Sequence, residues 1–386
     1  MSAAQPLTAL VNGRVLGEHG TRNDLAVLLR GGRIEALVPA GDESLSYAER
    51  HDLQGRLLLP GFIDVQVNGG GGLLFNAAPT VETLRGIAAA HRRFGTTGML
   101  PTLITDTAEV MHAALEAVDA AIAEGVPGIL GIHLEGPFLA PARKGIHDAD
   151  LFRLPDAADI ADIARRHRGV VMMTLAPERV PLETIRQLSA AGVIVVAGHT
   201  AADYATTRAA LDAGVSGFTH LYNAMTPLGS REPGVVGAAL DDPHSWCGLI
   251  VDLHHVHPAS LRVAIAAKAR GKSVLVTDAM PPVGADDPTY VLNGQTIVAR
   301  DGICQSADGV LAGSALDMAT GVRHLVDAVG LPLAEASRMA SAYPAAWLGL
   351  ERELGRIVAG QRADFAVLDD GLAVQETWIG GVRYAA

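Results

Sequence analysis

Cysteine is nearly absent from this chain of 386 residues, which has only Cys247 and Cys304. Two thiols cannot frame a disulfide scaffold, and the pair lacks metal-motif spacing, so both are expected to be small core or loop residues. Aromatic residues are also scarce, at 4%, while alanine and glycine are abundant, as in a tightly packed α/β protein. No run of like charge stands out and the net charge is −12, which argues against nucleic acid or an anionic membrane as the main partner. An anionic ligand would therefore need a local cluster of cations. No apolar run reaches membrane-spanning length. The opening MSAAQPLTALVNGRV lacks a basic segment followed by a long apolar stretch, so no secretory signal is expected and the cytoplasm is the default.

What the chain does have is alternation. From Leu7 to about Leu58, short apolar runs pair across Asn-Gly and Gly-Gly turn signals, and the last thirty residues look alike. The two ends are expected to build one small β-sandwich domain (1–58 and 354–386) around an inserted middle (59–353). In that middle, strand-like runs occur at Gly61–Val67, Thr97–Leu103, Gly128–Leu134, Val170–Leu175, Val193–Ala197, Gly217–His220, Gly248–Asp252 and Ser273–Thr277. Helical patterns separate most of them, several opening on Thr, Asp or Pro and closing on glycine. Eight such units predict an α/β fold of the closed (β/α)8 type. The sixth helix, around MTPLGSREPGVVGAAL, is poorly marked, and Thr289–Leu311 reads as an inserted β-hairpin.

A barrel's chemistry sits at the C-terminal ends of its strands. Read there, the chain offers Gln66 and Asn68 after strand one, Glu135 after three, Glu178 beyond four, His199 after five and His220 after six. Asp252 with His254, His255 and His257 follows near strand seven, and Asp278 ends strand eight. Glu plus two His is the ligand set of a catalytic zinc-type site with one position left for water, and Asp278 would be the base beside it. Each residue also has a structural reading: Glu135 as a loop cap, Asp278 as a helix N-cap, a lone histidine as a hydrogen-bonded core residue. His133, two residues before Glu135, is read as structural. For the 254–257 cluster, one functional member is expected.

The segments PGFIDVQVNGGGG, LPTLIT, HLEGPFL, KGIH, AGHT, THLYNAM, REPG, VTDA, LAGS and AGQRADFAVLD resemble the amidohydrolase superfamily and, within it, the N-acetylglucosamine-6-phosphate deacetylases. Many superfamily members carry His-x-His at the end of strand one and bind a second metal there. Here the positions are Gln66 and Asn68, weaker ligands, so the resemblance implies the one-metal form, with Glu135, His199 and His220 holding Zn2+ or, alternatively, Fe2+. It implies hydrolysis of the acetamide of N-acetyl-D-glucosamine 6-phosphate by metal-activated water. Asp278 would be general base and then acid, and His147 would polarise the carbonyl. The galactosamine isomer is the alternative substrate. Ile146, Asn223, Ala224 and Leu311, Ala312 and Gly313 match sugar-contacting positions. Asp252, Leu253, His254 and His255 form the substrate-side loop after strand seven, with Leu253 standing where the family often has glycine. Arg231 and His255 would reach the phosphate across a homodimer interface.

Overall fold

The computed structural model describes residues 6–17 and 20–385. The expectation of no secretory signal falls partly on residues 1–5, which lie outside the described residues. Eight parallel strands pair in chain order: β1 (Phe62–Val67), β2 (Thr96–Ile104), β3 (Gly131–Glu135), β4 (Val170–Leu175), β5 (Ile194–Ala197), β6 (Gly217–Phe218), β7 (Trp246–Ile250) and β8 (Ser273–Val276). No continuous ladder joins β8 to β1. The seam is closed by a single bridge between Val67 and Ala279 and by the Asp278 amide donating to the Gln66 carbonyl at 3.0 Å. The result is the expected (β/α)8 barrel.

The crossover helices are α1 (Val81–Arg92), α2 (Ala108–Ala123), α3 (Ala157–Ala164), α4 (Leu182–Ala190), α5 (Tyr204–Ala213), α6 (Gly234–Asp241), α7 (Pro258–Ala267) and α8 (Met318–Asp327). Their starts have a local cause. The side chains of Thr80, Thr107, Asp203 and Asp317 accept backbone N–H groups that would otherwise be orphaned at the openings of α1, α2, α5 and α8. The poorly marked sixth helix does form, after a loop broken by Pro227 and Pro233.

Two more helices, α9 (Leu333–Ala340) and α10 (Ala342–Trp347), follow the barrel. Through Ala345, Trp347 and Leu348, α10 and the turn after it join the apolar cluster of Ile63, Val65, Leu100, Met172 and Val274, plugging the N-terminal end. Trp347 lies so near β6 that a Cβ on Gly217 would sit 2.4 Å from its ring.

The two chain ends supply two further sheets that share a core of Leu10, Val27, Ile34, Leu58, Phe365, Val367 and Trp378. In the six-stranded one, Leu57–Pro60 lies between Arg14–Gly17 and Phe365–Leu368. The segment read as a hairpin is instead a four-stranded antiparallel meander: Thr289–Leu292, Gln295–Arg300, Ile303–Gln305 and Leu311–Ser314. Its first two turns, Asn293-Gly294 and Asp301-Gly302, have both residues left-handed, the conformation that tight hairpins require. Tyr290, Leu292, Ile297 and Ala312 pack it over Ile104 and Met280, so it covers part of the barrel's C-terminal end. Both cysteines are buried and free. Among the described residues, no helix is long and apolar enough to cross a membrane.

Candidate active site

Glu135 is the last residue of β3, whereas His199, His220 and Asp278 each lie two residues beyond the end of their strand. All three have left-handed backbone, with φ of 47°, 29° and 53°. For His220 this corrects the expected strand, since a residue in that conformation cannot continue a ladder and β6 stops at Phe218. Such a conformation costs a non-glycine residue roughly 1–2 kcal/mol. Tyr222, Ala224 and Leu253 share it, so the strain collects at the barrel mouth. Leu253 thus holds, with a side chain, a conformation that glycine adopts freely.

The three expected ligands converge. Nε2 of His199 lies 3.1 Å from Oε1 of Glu135 and 3.1 Å from Nε2 of His220, which in turn is 2.9 Å from the same oxygen. All three residues are buried. Nδ1–H of His199 donates to the Arg143 carbonyl at 2.9 Å, which fixes the ring with Nε2 turned toward Glu135. Burial pushes the Glu135 carboxyl up, but the His199 and His220 hydrogen bonds outweigh it and hold the group well below its usual range. A buried carboxylate with two imidazole nitrogens turned on one of its oxygens demands a cation. A tetrahedral ion with bonds of about 2.0–2.1 Å separates its ligand atoms by about 3.3 Å, close to the spacing seen. The residues therefore fit a divalent metal.

Gln66 and Asn68 are aimed at the two carboxylates. Nε2 of Gln66 donates to Oε2 of Glu135 (3.1 Å) and Oδ1 of Asp278 (3.2 Å), and Nδ2 of Asn68 donates to the same Asp278 oxygen at 2.6 Å. The amides place N–H groups where a second cation would need open ligands. Burial and the nearby Glu135 charge raise the Asp278 pKa. Oδ1 already takes two donors, so Oδ2 is the oxygen available to a proton.

His147 is buried, and its Nδ1 lies 2.8 Å from the Thr105 hydroxyl and accepts from the Thr105 amide at 3.4 Å. Nε2–H is then the free donor. Burial, reinforced by His199, pushes its pKa down to about 3, so the ring is neutral. His133 is structural in position: inside the barrel it spans the Thr102 and Thr174 hydroxyls at 3.4 and 2.7 Å, and burial pushes it down to about 4.

These two depressed values carry a pH prediction. Above pH 6.5 both histidines are neutral whether the chain is folded or not. As pH falls below 6.5 the unfolded state takes up protons that the folded state refuses, so stability declines toward the folded values. Each histidine contributes a loss of up to about 2 kcal/mol between pH 6.5 and 5. The raised Asp64 carboxyl works in the opposite direction over the same range, so the check is a comparison: the drop in urea midpoint from pH 7 to pH 5 should be smaller in His133→Asn than in the parent, and an equal drop would contradict the assignment.

A cavity of about 280 Å³ joins these groups. Its wall includes Glu135, His199, His220, Asp278, Asn68 and His147 on the barrel side. Ile146, Asn223, Ala224 and the Leu311–Gly313 strand complete it, together with His255, which lines the cavity of its own chain instead of the partner's cavity expected from the sequence. Met280, Leu292 and Val310 also line it; sequence reasoning missed them because their loops fold over the mouth only in three dimensions.

Four expected residues lie outside the wall. Asp252 sits behind His255, accepting from its Nδ1 at 2.5 Å and from the His254 and His255 amides. Leu253 packs on the core, His254 is exposed, and so is Arg231, which makes no ion pair within the described chain. His257 caps α7 and Glu178 accepts from Thr200 and Ala201, so both are structural.

The model of the amidohydrolase family matches residues 57–383. The chain belongs to the amidohydrolase family. This amidohydrolase is 48% identical over 324 residues to the N-acetylgalactosamine-6-phosphate deacetylase of Shewanella sp. (strain ANA-3), covering 84% of this chain and 82% of that one. It is 40% identical over 404 residues to the N-acetylglucosamine-6-phosphate deacetylase of Bos taurus, covering 98% and 96%. Its structure superimposes on the crystal structure of N-acetylglucosamine-6-phosphate deacetylase from Pasteurella multocida with a TM-score of 0.94 at 34% identity, covering 98% of this chain and 100% of that one. It also matches an aspartate-to-alanine mutant of the Mycobacterium smegmatis enzyme in complex with N-acetyl-D-glucosamine 6-phosphate, with a TM-score of 0.89, 34% identity and full coverage of both chains.

Proposed function

We propose that this amidohydrolase removes the acetyl group of N-acetyl-D-glucosamine 6-phosphate, giving D-glucosamine 6-phosphate and acetate. The observation that carries the reading is the Glu135–His199–His220 triangle with Asp278 beside it, at the floor of a cavity large enough for one sugar phosphate. A divalent ion, Zn2+ in this reading and Fe2+ as the alternative, would be held by those three side chains and would supply a Lewis acid that lowers the pKa of water to about 7. Asp278 takes the proton of the attacking water on Oδ2 and returns it to the sugar nitrogen as the C–N bond breaks. His147, kept neutral, donates Nε2–H to the oxygen on which negative charge develops. Gln66 and Asn68 hold the two carboxylates in register.

The phosphate end needs cations, and among the described residues lining the cavity His255 is the one basic side chain apart from the histidines already used. Arg231 is exposed and makes no ion pair among the described residues, which supports its donation to a second copy's cavity in a homodimer. Arg231→Ala should then raise KM for the phosphorylated sugar while sparing plain N-acetylglucosamine, and an unchanged preference would remove it from the phosphate site. Action in the cytoplasm belongs to the same proposal, because a sugar phosphate is too polar to cross a bilayer unaided.

The 48% identity to a galactosamine-type relative favours one second reading, in which the substrate is N-acetyl-D-galactosamine 6-phosphate. The two sugars differ in the configuration of one hydroxyl. Acetate release from each, compared as kcat/KM, tests the function and chooses between them. Failure to release acetate from either sugar would overturn both readings.

A further inference from the structure

Asp64 is a fully buried carboxylate for which the mechanism above has no use. It lies at the barrel's closing seam. Its Oδ1 accepts from the backbone amides of Gln66 and Thr277 at 3.2 and 3.3 Å, and its Oδ2 accepts from the Thr277 hydroxyl at 2.5 Å. The ladder that joins every other pair of neighbouring strands is missing here, and the carboxylate takes up amides that a ladder would have paired. On the same few residues hang both sides of the site. Thr277 precedes Asp278, whose left-handed backbone is tied to the Gln66 carbonyl and, through its own carbonyl, to the Ser314 amide at 2.9 Å. The Ser314 hydroxyl holds the Thr277 carbonyl at 2.6 Å.

We infer that Asp64 is a positioning residue for the reaction, fastening Thr277 to Gln66 so that Asp278 stays beneath the two amides that orient it. The inference rests on Asp278 as the proton acceptor. Burial pushes the Asp64 carboxyl up to about 7 against the Thr277 hydrogen bond. The site therefore retains an acid that is costly to bury, although an amide has nearly the same size. Asparagine fits worse chemically. Its NH2 group would stand where the Thr277 hydroxyl, which accepts from the Ala279 amide at 3.2 Å, now donates its proton to Oδ2, so that proton would lose its close acceptor.

The test uses zinc-loaded Asp64→Asn, Thr277→Val and Thr277→Ser, with metal content, Tm, kcat and KM measured on each. Asp64→Asn and Thr277→Val should keep one ion per chain and a KM within about twofold of the parent, but lose about 10–100-fold in kcat. Thr277→Ser, which retains the hydroxyl, should stay near the parent. If Asp64→Asn does not fold, Thr277→Val carries the test by itself. A kcat within about twofold of the parent in every folded variant, whatever the change in Tm, would overturn the inference and leave Asp64 a structural seam. Asp278→Asn separates the two failures. Should it retain turnover, the base assignment falls first. Loss there with none in Asp64→Asn or Thr277→Val removes the positioning role alone.

Discussion

Asp278→Asn should bind its metal normally and lose at least about a thousand-fold in turnover, the upper part of the range for a positioned acid–base group. The substitution keeps the shape of the side chain and an oxygen that can still accept from Asn68 and Gln66, so the backbone turn at this position should survive. What it removes is the oxygen that takes the proton. KM should change little, because binding energy comes from the sugar and phosphate ends of the cavity. Acetate release together with metal analysis checks both halves, and near-normal turnover with the ion in place would end the assignment.

Removing the metal should have the other large effect. Without a cation, the buried Glu135 carboxylate is left with the Gln66 amide and two imidazoles whose nitrogens lie 3.1 Å apart, and the water to be activated has no Lewis acid. Chelation should abolish acetate release. A ligand present at about a thousand times its Kd contributes about 4 kcal/mol to folding, which for a chain of this size corresponds to a Tm fall of roughly 5 °C. Zinc titrated back should restore both signals and saturate at one equivalent per chain, since Gln66 and Asn68 direct amide hydrogens at the oxygens a second ion would bind. A second equally tight equivalent would contradict that geometry.

Much of the site was legible before the structure because strand ends are where a barrel displays its chemistry. His199 and Asp278 follow the β-branched runs VIVVAG and SVLVT, Glu135 and His220 follow the shorter GIHL and GFT, and the pattern of such runs sets the barrel. The ends of those runs were less legible. The predicted sixth strand carried on to His220 because nothing in THLYN advertises a left-handed turn. Helices α9 and α10 were not foreseen, since Pro332 and Pro344 interrupt the stretch LPLAEASRMASAYPAAW; α10 is six residues long and owes its place to Trp347 entering the barrel. The meander after β8 gave a clear Asn-Gly signal for its first turn, but its later strands are short and irregular. Thr105, which sets the tautomer of His147, carries no sequence signal at all. Asp64 did carry one, as the sole charged residue in the strand-like run FIDVQV.

The central strand Leu57–Pro60 has a consequence for how the protein is made. One of its neighbours, Phe365–Leu368, is synthesised some three hundred residues later and aligns Phe365 opposite Pro60. While a ribosome is still extending the chain, Leu57, Leu58 and Leu59 therefore present a bare, greasy margin with hydrogen-bonding groups unclaimed. The barrel can assemble during that interval, but the small sheet must wait for the tail. A prematurely terminated chain would emerge with its chemistry nearly whole and a sticky flank that invites clumping.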